Sequence, residues 1–263
     1  MIHTLKHFFS KKAAIRHAAS ATASQLTPYK DLSFAAKESY KLLRTNLLFA
    51  LPDTGKCRVI GVTSSVRTEG KSTTSINLSY ALAEMGRRVL LVDGDLRLPS
   101  VAAKLKVDGT PGLSNVVAGV ECEEDAIRPL AEQEGLFLLP SGRIPPNPAE
   151  MLASTQMSDL LCRLRESSDF ILVDLPPVNI VSDALIIASS LDGMLVVARS
   201  NFSEKRELRR CVRQLELGSV KIVGFVMTDV SEGGSLYSRY KKNRYYKKTN
   251  TEGYGNSTPE DAK

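Results

Sequence analysis

The sequence contains few of the residues from which metal sites and disulfide frameworks are built. Its 263 residues include only three histidines and four cysteines (Cys57, Cys122, Cys162 and Cys211), and no two cysteines form a closely spaced pair. This argues against a zinc site or a disulfide scaffold and indicates reduced thiols. Long apolar runs are also missing. The longest stretch without Asp, Glu, Lys or Arg is 13 residues, 17–29, which is too short to span a bilayer.

The net charge of +6 is concentrated at the two ends of the chain. Residues 1–50 carry +6 and residues 231–263 carry +3, whereas residues 51–230 carry −3. We predict a basic flexible arm over 1–33, a folded domain over 34–230 and a disordered, tyrosine-rich tail over 231–263. Such ends suit an anionic membrane, an acidic partner or nucleic acid. For the N-terminal arm, a solvated end that only aids solubility fits the pattern equally well.

Short runs of consecutive Val, Ile and Leu alternate with helical patterns. Because the runs do not alternate with polar residues, they are typical of strands buried on both faces of a parallel sheet. Helices are predicted over 34–50 and over 72–85, the second with Leu78, Ala81, Leu82 and Met85 along one stripe. The predicted fold class is therefore α/β with a mostly parallel central sheet flanked by helices. The predicted strands cover residues 58–63, 88–93, 136–139, 170–174, 194–198 and 221–227.

A phosphate-binding loop lies between the first predicted strand and the helix that follows it. Its pattern is Ser65, four residues, then Gly70-Lys71-Ser72, with serine where the usual motif has glycine. Backbone N–H groups of such a loop surround the phosphates, the lysine reaches the β- and γ-phosphates, and the serine hydroxyl binds Mg²⁺. The domain is therefore predicted to be a P-loop NTPase that binds nucleotide phosphates and Mg²⁺. The predicted nucleotide-binding residues are Ser65, Val66, Arg67, Thr68, Glu69, Gly70, Lys71, Ser72 and Thr73.

Three aspartates follow hydrophobic strands. Asp93 and Asp95 come at the end of one strand and Asp174 at the end of another. Since ligands of open parallel sheets bind at the carboxyl ends of the strands, we expect these carboxylates to meet the loop there. Oxygen ligands of this kind suit Mg²⁺, for which Ser72, Asp95 and Asp174 are the candidates.

These motifs together resemble those of the bacterial tyrosine kinases of capsular and extracellular polysaccharide assembly. The resemblance covers about residues 34–246 and includes a tyrosine-rich end. Its specific marks are EGKST at 69–73, DGDLR at 93–97, PSGRIPPNPAE at 140–150, DLPP at 174–177 and VSDAL at 181–185.

The resemblance implies an ATP- and Mg²⁺-dependent kinase that phosphorylates tyrosines of its own tail. Lys71, Asp93, Asp95 and Asp174 would form the catalytic set. A tyrosine hydroxyl has a pKa near 10, so a carboxylate must accept its proton, and Asp93 is the predicted base, although the sequence does not separate the three aspartates. The predicted acceptors are Tyr237, Tyr240, Tyr245, Tyr246 and Tyr254.

The resemblance also implies several partners and a location. The expected partners are a transmembrane polysaccharide chain-length adaptor that activates the kinase, further copies of the chain in a ring, and a protein tyrosine phosphatase, without nucleic acid. The chain would then be cytoplasmic and recruited to the inner face of the plasma membrane. The family's self-association motif Glu-x2-Arg-x2-Arg reads Glu38, Lys41 and Arg44 here, and the lysine lacks the guanidinium fork of arginine.

The chain departs from the family pattern inside the loop, where the usual Pro-Gly reads Arg67-Thr68. Two other functions remain open. A partition or septum-placement ATPase would share the loop, but that group has an early lysine that Ser65-Val66-Arg67 lacks. A nucleotide-switched assembly subunit of a polysaccharide export complex would share most of these residues without acting as an enzyme.

Overall fold

The computed structural model of the chain describes residues 29–51 and 55–230. Within these residues, seven strands form one sheet in the spatial order β3-β4-β2-β5-β1-β6-β7, and all belong to one compact unit that ends at Thr228. The strands are β1 (Arg58–Ser64), β2 (Val89–Asp93), β3 (Arg128–Pro129), β4 (Leu136–Leu139), β5 (Phe170–Asp174), β6 (Gly193–Arg199) and β7 (Ile222–Thr228).

The parallel sheet expected from the apolar runs is confirmed. Strands β1, β2, β4 and β5 are buried along their whole length, and every pairing among the six longer strands is parallel. The edge strand β7 is only partly buried. The sequence did not predict β3, whose two residues pair antiparallel with β4. A strand this short carries no periodic signal, and its Pro129 is confined to such edges because it has no backbone N–H.

Helices cover both faces of the sheet. Successive strand residues enter different apolar clusters: Val59 packs with helices on one face, and Ile60 packs with helices on the other. This two-residue alternation is what a strand buried on both faces produces. The helices are α1 (Phe34–Ala50), α2 (Lys71–Ala83), α3 (Val101–Leu105), α4 (Leu113–Val117), α5 (Glu123–Ala126), α6 (Pro148–Leu152), α7 (Thr155–Ser167), α8 (Asp183–Ile186) and α9 (Lys205–Leu217).

Helix α2 follows the phosphate loop and corrects one prediction. It ends at Ala83 and is buried almost all round, so the expected apolar stripe ending at Met85 was wrong; Met85 lies past the helix and is 45% exposed. The reason is that α2 lies between the sheet and α1. On the α1 side, the amide of Asn77 donates a hydrogen bond of 3.2 Å to the hydroxyl of Tyr40. A helix covered on two sides has no polar face from which a stripe can be recognised.

Helix α1 begins as predicted at Phe34, where the Ser33 hydroxyl accepts a hydrogen bond from the Ala36 N–H. It ends at Ala50, the last residue of the predicted range. Among residues 29–51 and 55–230, no helix combines the length and the apolar character needed to cross a membrane.

Candidate active site

A cavity of about 510 Å³ opens at the carboxyl ends of β1, β2 and β5. Its wall is formed by loop residues 67, 68 and 70–73, by the segment that follows β2, by residues 176, 177, 180 and 181 after β5, and by Arg199 at the end of β6. The parallel topology therefore brings the predicted loop and the segments after two aspartate-bearing strands together, as expected for an open α/β sheet.

The loop from Ser65 to Gly70 is organised around its own buried glutamate. The Glu69 carboxylate accepts hydrogen bonds from the Ser65 hydroxyl (2.8 and 3.0 Å) and from the Val66 N–H (2.8 Å), and the Ser203 hydroxyl donates a third. Neither Ser65 nor Glu69 is exposed. Their side chains therefore face each other instead of the cavity, and the loop holds its shape without the usual first glycine.

The loop is also tied to the edge of the sheet. The Thr228 hydroxyl donates a hydrogen bond of 2.7 Å to the Glu69 carbonyl oxygen. Gly70, at the start of α2, has a φ of +95°, and a Cβ atom there would lie 3.1 Å from the Thr228 methyl carbon. Glycine is thus required at this position by both backbone conformation and space.

Lys71 lies against two of the three predicted carboxylates. Its Nζ is 2.9 Å from Asp95 Oδ2 and 3.8 Å from Asp174 Oδ2. Burial acts to lower the pKa of Lys71, but the charges of Asp174 and Asp95 outweigh it, so the pKa is raised above its usual value. The lysine is therefore held charged at the position from which it can reach a phosphate.

Asp93 and Asp174 are direct neighbours across β2 and β5, and neither side chain is exposed. Asp93 Oδ2 accepts hydrogen bonds from the N–H groups of Ser100 (3.2 Å) and Val101 (3.1 Å), at the start of α3. Burial, reinforced for Asp93 by the charge of Asp174, raises the pKa of both carboxyls. Asp93 thus lies behind the cavity wall, whereas Asp95 forms part of it.

The oxygen atoms around Ser72 suit a magnesium ion that is shared with phosphates. The Ser72 hydroxyl accepts a hydrogen bond of 3.1 Å from the Ser100 hydroxyl, and Asp174 Oδ2 has no hydrogen-bond partner among the described residues. The same residues contain no cluster of three or more His, Cys, Asp or Glu side chains that could hold a metal ion on its own. Mg²⁺ commonly binds through one or two carboxylates plus waters and substrate phosphates, so this donor set fits it.

Several contributions to the site were not predicted from the sequence. Both oxygens of the buried Asp183 accept hydrogen bonds from Arg97, from Nε at 2.9 Å and from Nη2 at 3.0 Å, and Arg97 lines the cavity. The roles of Ser203 and Thr228 were likewise missed. The segments around Arg97 and Asp183 stood out as motifs, but nothing in the sequence paired them. Ser203 and Thr228 carry no local signal.

The other predicted residues lie elsewhere. Lys41 forms an ion pair of 2.8 Å with Glu38 along α1, and Arg44 donates a hydrogen bond to the Ala81 carbonyl oxygen on α2. Two of the three self-association residues thus contact each other within α1, and the third contacts α2. The five predicted acceptor tyrosines, from Tyr237 to Tyr254, lie outside the described residues.

Comparison with known proteins identifies the family. A model of the AAA domain matches residues 57–216. The tyrosine-protein kinase YwqD of Bacillus subtilis is 35% identical over 209 residues, which cover 80% of this chain and 85% of YwqD. The tyrosine-protein kinase CpsD of Streptococcus agalactiae is 31% identical over 211 residues, 78% of this chain and 88% of CpsD. This chain is a bacterial tyrosine-protein kinase.

Solved structures agree with this assignment. The kinase domain of the Escherichia coli tyrosine kinase ETK superposes with a TM-score of 0.71 at 28% identity, covering 82% of this kinase and 86% of that chain. The septum site-determining protein MinD of Pyrococcus horikoshii, solved with Mg-ADP, gives a TM-score of 0.56 at 30% identity, covering 65% of this kinase and 70% of that chain. The fold is thus shared with a septum site-determining protein, and the kinase domain superposes with the higher TM-score of the two.

Proposed function

We propose that the kinase transfers the γ-phosphoryl group of ATP to tyrosines of its own 231–263 segment and thereby regulates the synthesis and export of a capsular or extracellular polysaccharide. The observation that carries this proposal is the cavity in which Lys71, Ser72 and Asp95 meet at the sheet edge beside Asp174. The proposed acceptors are Tyr237, Tyr240, Tyr245, Tyr246 and Tyr254.

Each side chain has a separate role in nucleotide binding. Backbone N–H groups of the 65–73 loop, apart from that of Val66, which donates to Glu69, surround the β-phosphate. Lys71 leaves Asp95 and binds the β- and γ-phosphates. Of the three predicted ligands, Ser72 and Asp174 would hold Mg²⁺, which leaves the Asp95 carboxylate for the phenol. When bound, the ion would neutralise charge that develops on the phosphate oxygens.

The position of each aspartate favours a division of labour that differs from the sequence prediction. Asp95 forms part of the cavity wall; its Oδ1 accepts a hydrogen bond from the Leu98 N–H, and its Oδ2 becomes available to a phenol when Lys71 turns from it to the phosphates. Asp93, the predicted base, has one oxygen bound to two N–H groups at the start of α3 and lies behind Ser100. We therefore infer that Asp95 accepts the phenol proton and that Asp93 positions the start of α3.

The proposed partners follow from the family. A transmembrane chain-length adaptor would recruit the kinase to the inner face of the membrane and activate it, copies of the kinase would form a ring through the α1 surface, and a tyrosine phosphatase would reset the tail. The 231–263 segment carries +3, and each phosphate adds about −1.5 to −2 charges. Four or five phosphates would therefore invert its charge and separate neighbouring copies.

The test is incubation of the full chain with Mg-ATP, with and without the cytosolic segment of an adaptor, followed by intact mass and peptide mapping. Phosphate on Tyr237–Tyr254 is expected in the wild type and absent in Lys71→Met. Lys56→Met is the matched control, because Lys56 is exposed near the other end of β1, and it should retain activity.

Comparison of two aspartate variants then assigns the base. Asp95→Asn should abolish transfer, whereas Asp93→Asn should retain measurable transfer. The reverse order would return the role of base to Asp93. Hydrolysis of ATP with all tyrosines unmodified, even with the adaptor segment present, would overturn the proposal in favour of a partition-type ATPase.

A further inference from the structure

Five basic side chains line the cavity, and they differ in what already holds them. Lys71 is bound to Asp95, and Arg97 is bound through two hydrogen bonds to Asp183. Arg199 lies over the ring of Phe202, with its guanidinium carbon 5.4 Å from the ring centre. The remaining two, Arg67 and Lys104, have side chains without an ion pair or hydrogen bond to any of residues 29–51 and 55–230. Of these two, only Arg67 belongs to the phosphate loop.

The backbone on both sides of Arg67 is fixed. The Ser64 hydroxyl donates to the Val66 carbonyl oxygen at 2.7 Å, and the Val66 N–H donates to the Glu69 carboxylate. On the other side, the Glu69 carbonyl oxygen accepts the hydrogen bond from Thr228. The loop therefore presents the exposed Arg67 side chain from a braced position at the cavity wall.

The chemistry of the Arg67 side chain suits a phosphoryl group. A guanidinium carries a permanent charge and five N–H donors in a planar fork, which matches two oxygens of a phosphoryl group. The middle of a phosphate loop lies beside the terminal phosphate, because the loop wraps around the β-phosphate and its lysine reaches the γ-phosphate.

We propose that Arg67 binds the γ-phosphoryl oxygens of ATP in its own cavity and stabilises the phosphoryl group during transfer. During that step the bond from the γ-phosphorus to the β–γ bridging oxygen breaks, a bond to the tyrosine oxygen forms, and ADP leaves. The phenol proton goes to Asp95, and Arg67 donates hydrogen bonds without losing a proton. This inference rests on the nucleotide site of the proposed function, but its first test does not require tyrosine transfer.

Comparing the affinities for two nucleotides distinguishes binding of the γ-phosphoryl group by Arg67 from a general attraction of anions. With Mg²⁺, ADP and the non-hydrolysable β,γ-imido analogue of ATP would be titrated into wild type, Arg67→Gln and Arg67→Lys. The Kd for ADP should stay within about twofold, whereas the Kd for the analogue should rise about 10- to 100-fold in Arg67→Gln, as for loss of a charged hydrogen bond. Arg67→Lys should recover part of the difference. The control is Arg209→Gln on the exposed side of α9, which should change neither Kd.

Three results would overturn the inference. The first is an equal loss of affinity for both nucleotides, and the second is no loss for either. The third is a loss for the analogue that disappears when the protein is diluted until it is monomeric, because Arg67 would then act on a neighbouring copy. If the wild type shows the expected discrimination but phosphorylates no tyrosine, the proposed function fails and the role of Arg67 in phosphate binding stands.

Discussion

The Thr228 hydroxyl, at the end of the edge strand β7, donates a hydrogen bond of 2.7 Å to the Glu69 carbonyl oxygen in the phosphate loop. The two residues are 159 positions apart in the chain. Since β7 has only β6 as a neighbour in the sheet, the position of the loop depends in part on an edge strand.

Thr228→Val should loosen the loop without leaving a cavity, because valine replaces the hydroxyl with a methyl group. Loss of one hydrogen bond should lower the free energy of unfolding by about 1 kcal/mol, and the affinity for ADP should fall several-fold. Thr228→Ser is the matched control, since it retains the hydroxyl and should bind ADP normally. Urea denaturation and calorimetric titration of ADP measure both effects. Equal affinities in wild type and Thr228→Val would contradict a role for this bond in nucleotide binding.

Thr68→Gly should stabilise the fold. Thr68 has a φ of +64°, a left-handed conformation that a β-branched residue adopts only at a cost of about 1–3 kcal/mol. Glycine removes that cost but loses more backbone entropy on folding, which costs about 0.5–1 kcal/mol. The free energy of unfolding should therefore rise by about 1 kcal/mol, as measured by urea denaturation. Thr68→Ala should fall between the two proteins. If Thr68→Gly is less stable than wild type, the side chain of Thr68 contributes more than its backbone costs.

The two hydrogen bonds from Arg97 to Asp183 predict that replacing Arg97 with lysine costs more stability than replacing an arginine that makes a single hydrogen bond. Arg97→Lys should lower the free energy of unfolding by about 1–2 kcal/mol, a range reduced by the partial exposure of Arg97, because lysine leaves the buried Asp183 with one donor instead of two. Arg163→Lys is the control: Arg163 contacts Glu123 through Nε alone, so lysine should cost less than about 0.5 kcal/mol. Equal costs in the two variants would show that the second hydrogen bond adds nothing.

The hydroxyl of the buried Tyr29 predicts a pH dependence of stability. It donates a hydrogen bond of 3.1 Å to Glu84, and the ring stacks on Tyr80 with ring centres 5.3 Å apart. Burial and then this bond raise the pKa of Tyr29 well above its usual value, so the folded protein keeps a proton that the unfolded chain loses near pH 10. The resulting stability is present below pH 10 and is lost as the pH rises beyond it.

Tyr29→Phe should therefore cost about 1 kcal/mol at pH 8, and the difference from wild type should shrink above pH 10. Urea denaturation from pH 8 to pH 11 measures this. Burial raises the pKa of Tyr80 to about 12. Tyr80 is present in both proteins, so its contribution cancels in the difference between wild type and Tyr29→Phe. A difference that stays constant across this range would show that Glu84 does not hold the proton of Tyr29.

The parts of the site that lie within short sequence segments could be predicted. Gly70, Lys71 and Ser72 are consecutive, and the predicted position of their loop between a strand and a helix is confirmed by β1 and α2. Asp95 and Asp174 could be brought together because each follows a strand and parallel strands end at the same edge.

The remaining features depend on contacts between distant segments. Asp93 is the base predicted from the resemblance, but β2 ends at Asp93 and the chain continues through Gly94, so of these two aspartates only Asp95 lines the cavity. The fork between Arg97 and Asp183 joins residues 86 positions apart. Met85 was placed in a stripe because the pattern contains no sign that α1 covers the outer side of α2.

The hydrogen bond between Ser65 and Glu69 has a consequence for how such loops evolve. A serine in the first position leaves a hydroxyl that must be satisfied inside the loop, and a glutamate four residues later satisfies it. Without Glu69 the buried hydroxyl of Ser65 would lose its acceptor, whereas Glu69 without Ser65 would keep the donors Val66 and Ser203. Serine at the first position is therefore expected in homologous chains that also have glutamate at the fifth. A motif search that demands glycine at the first position overlooks loops of this kind, and one that accepts serine with glutamate at the fifth position recovers them.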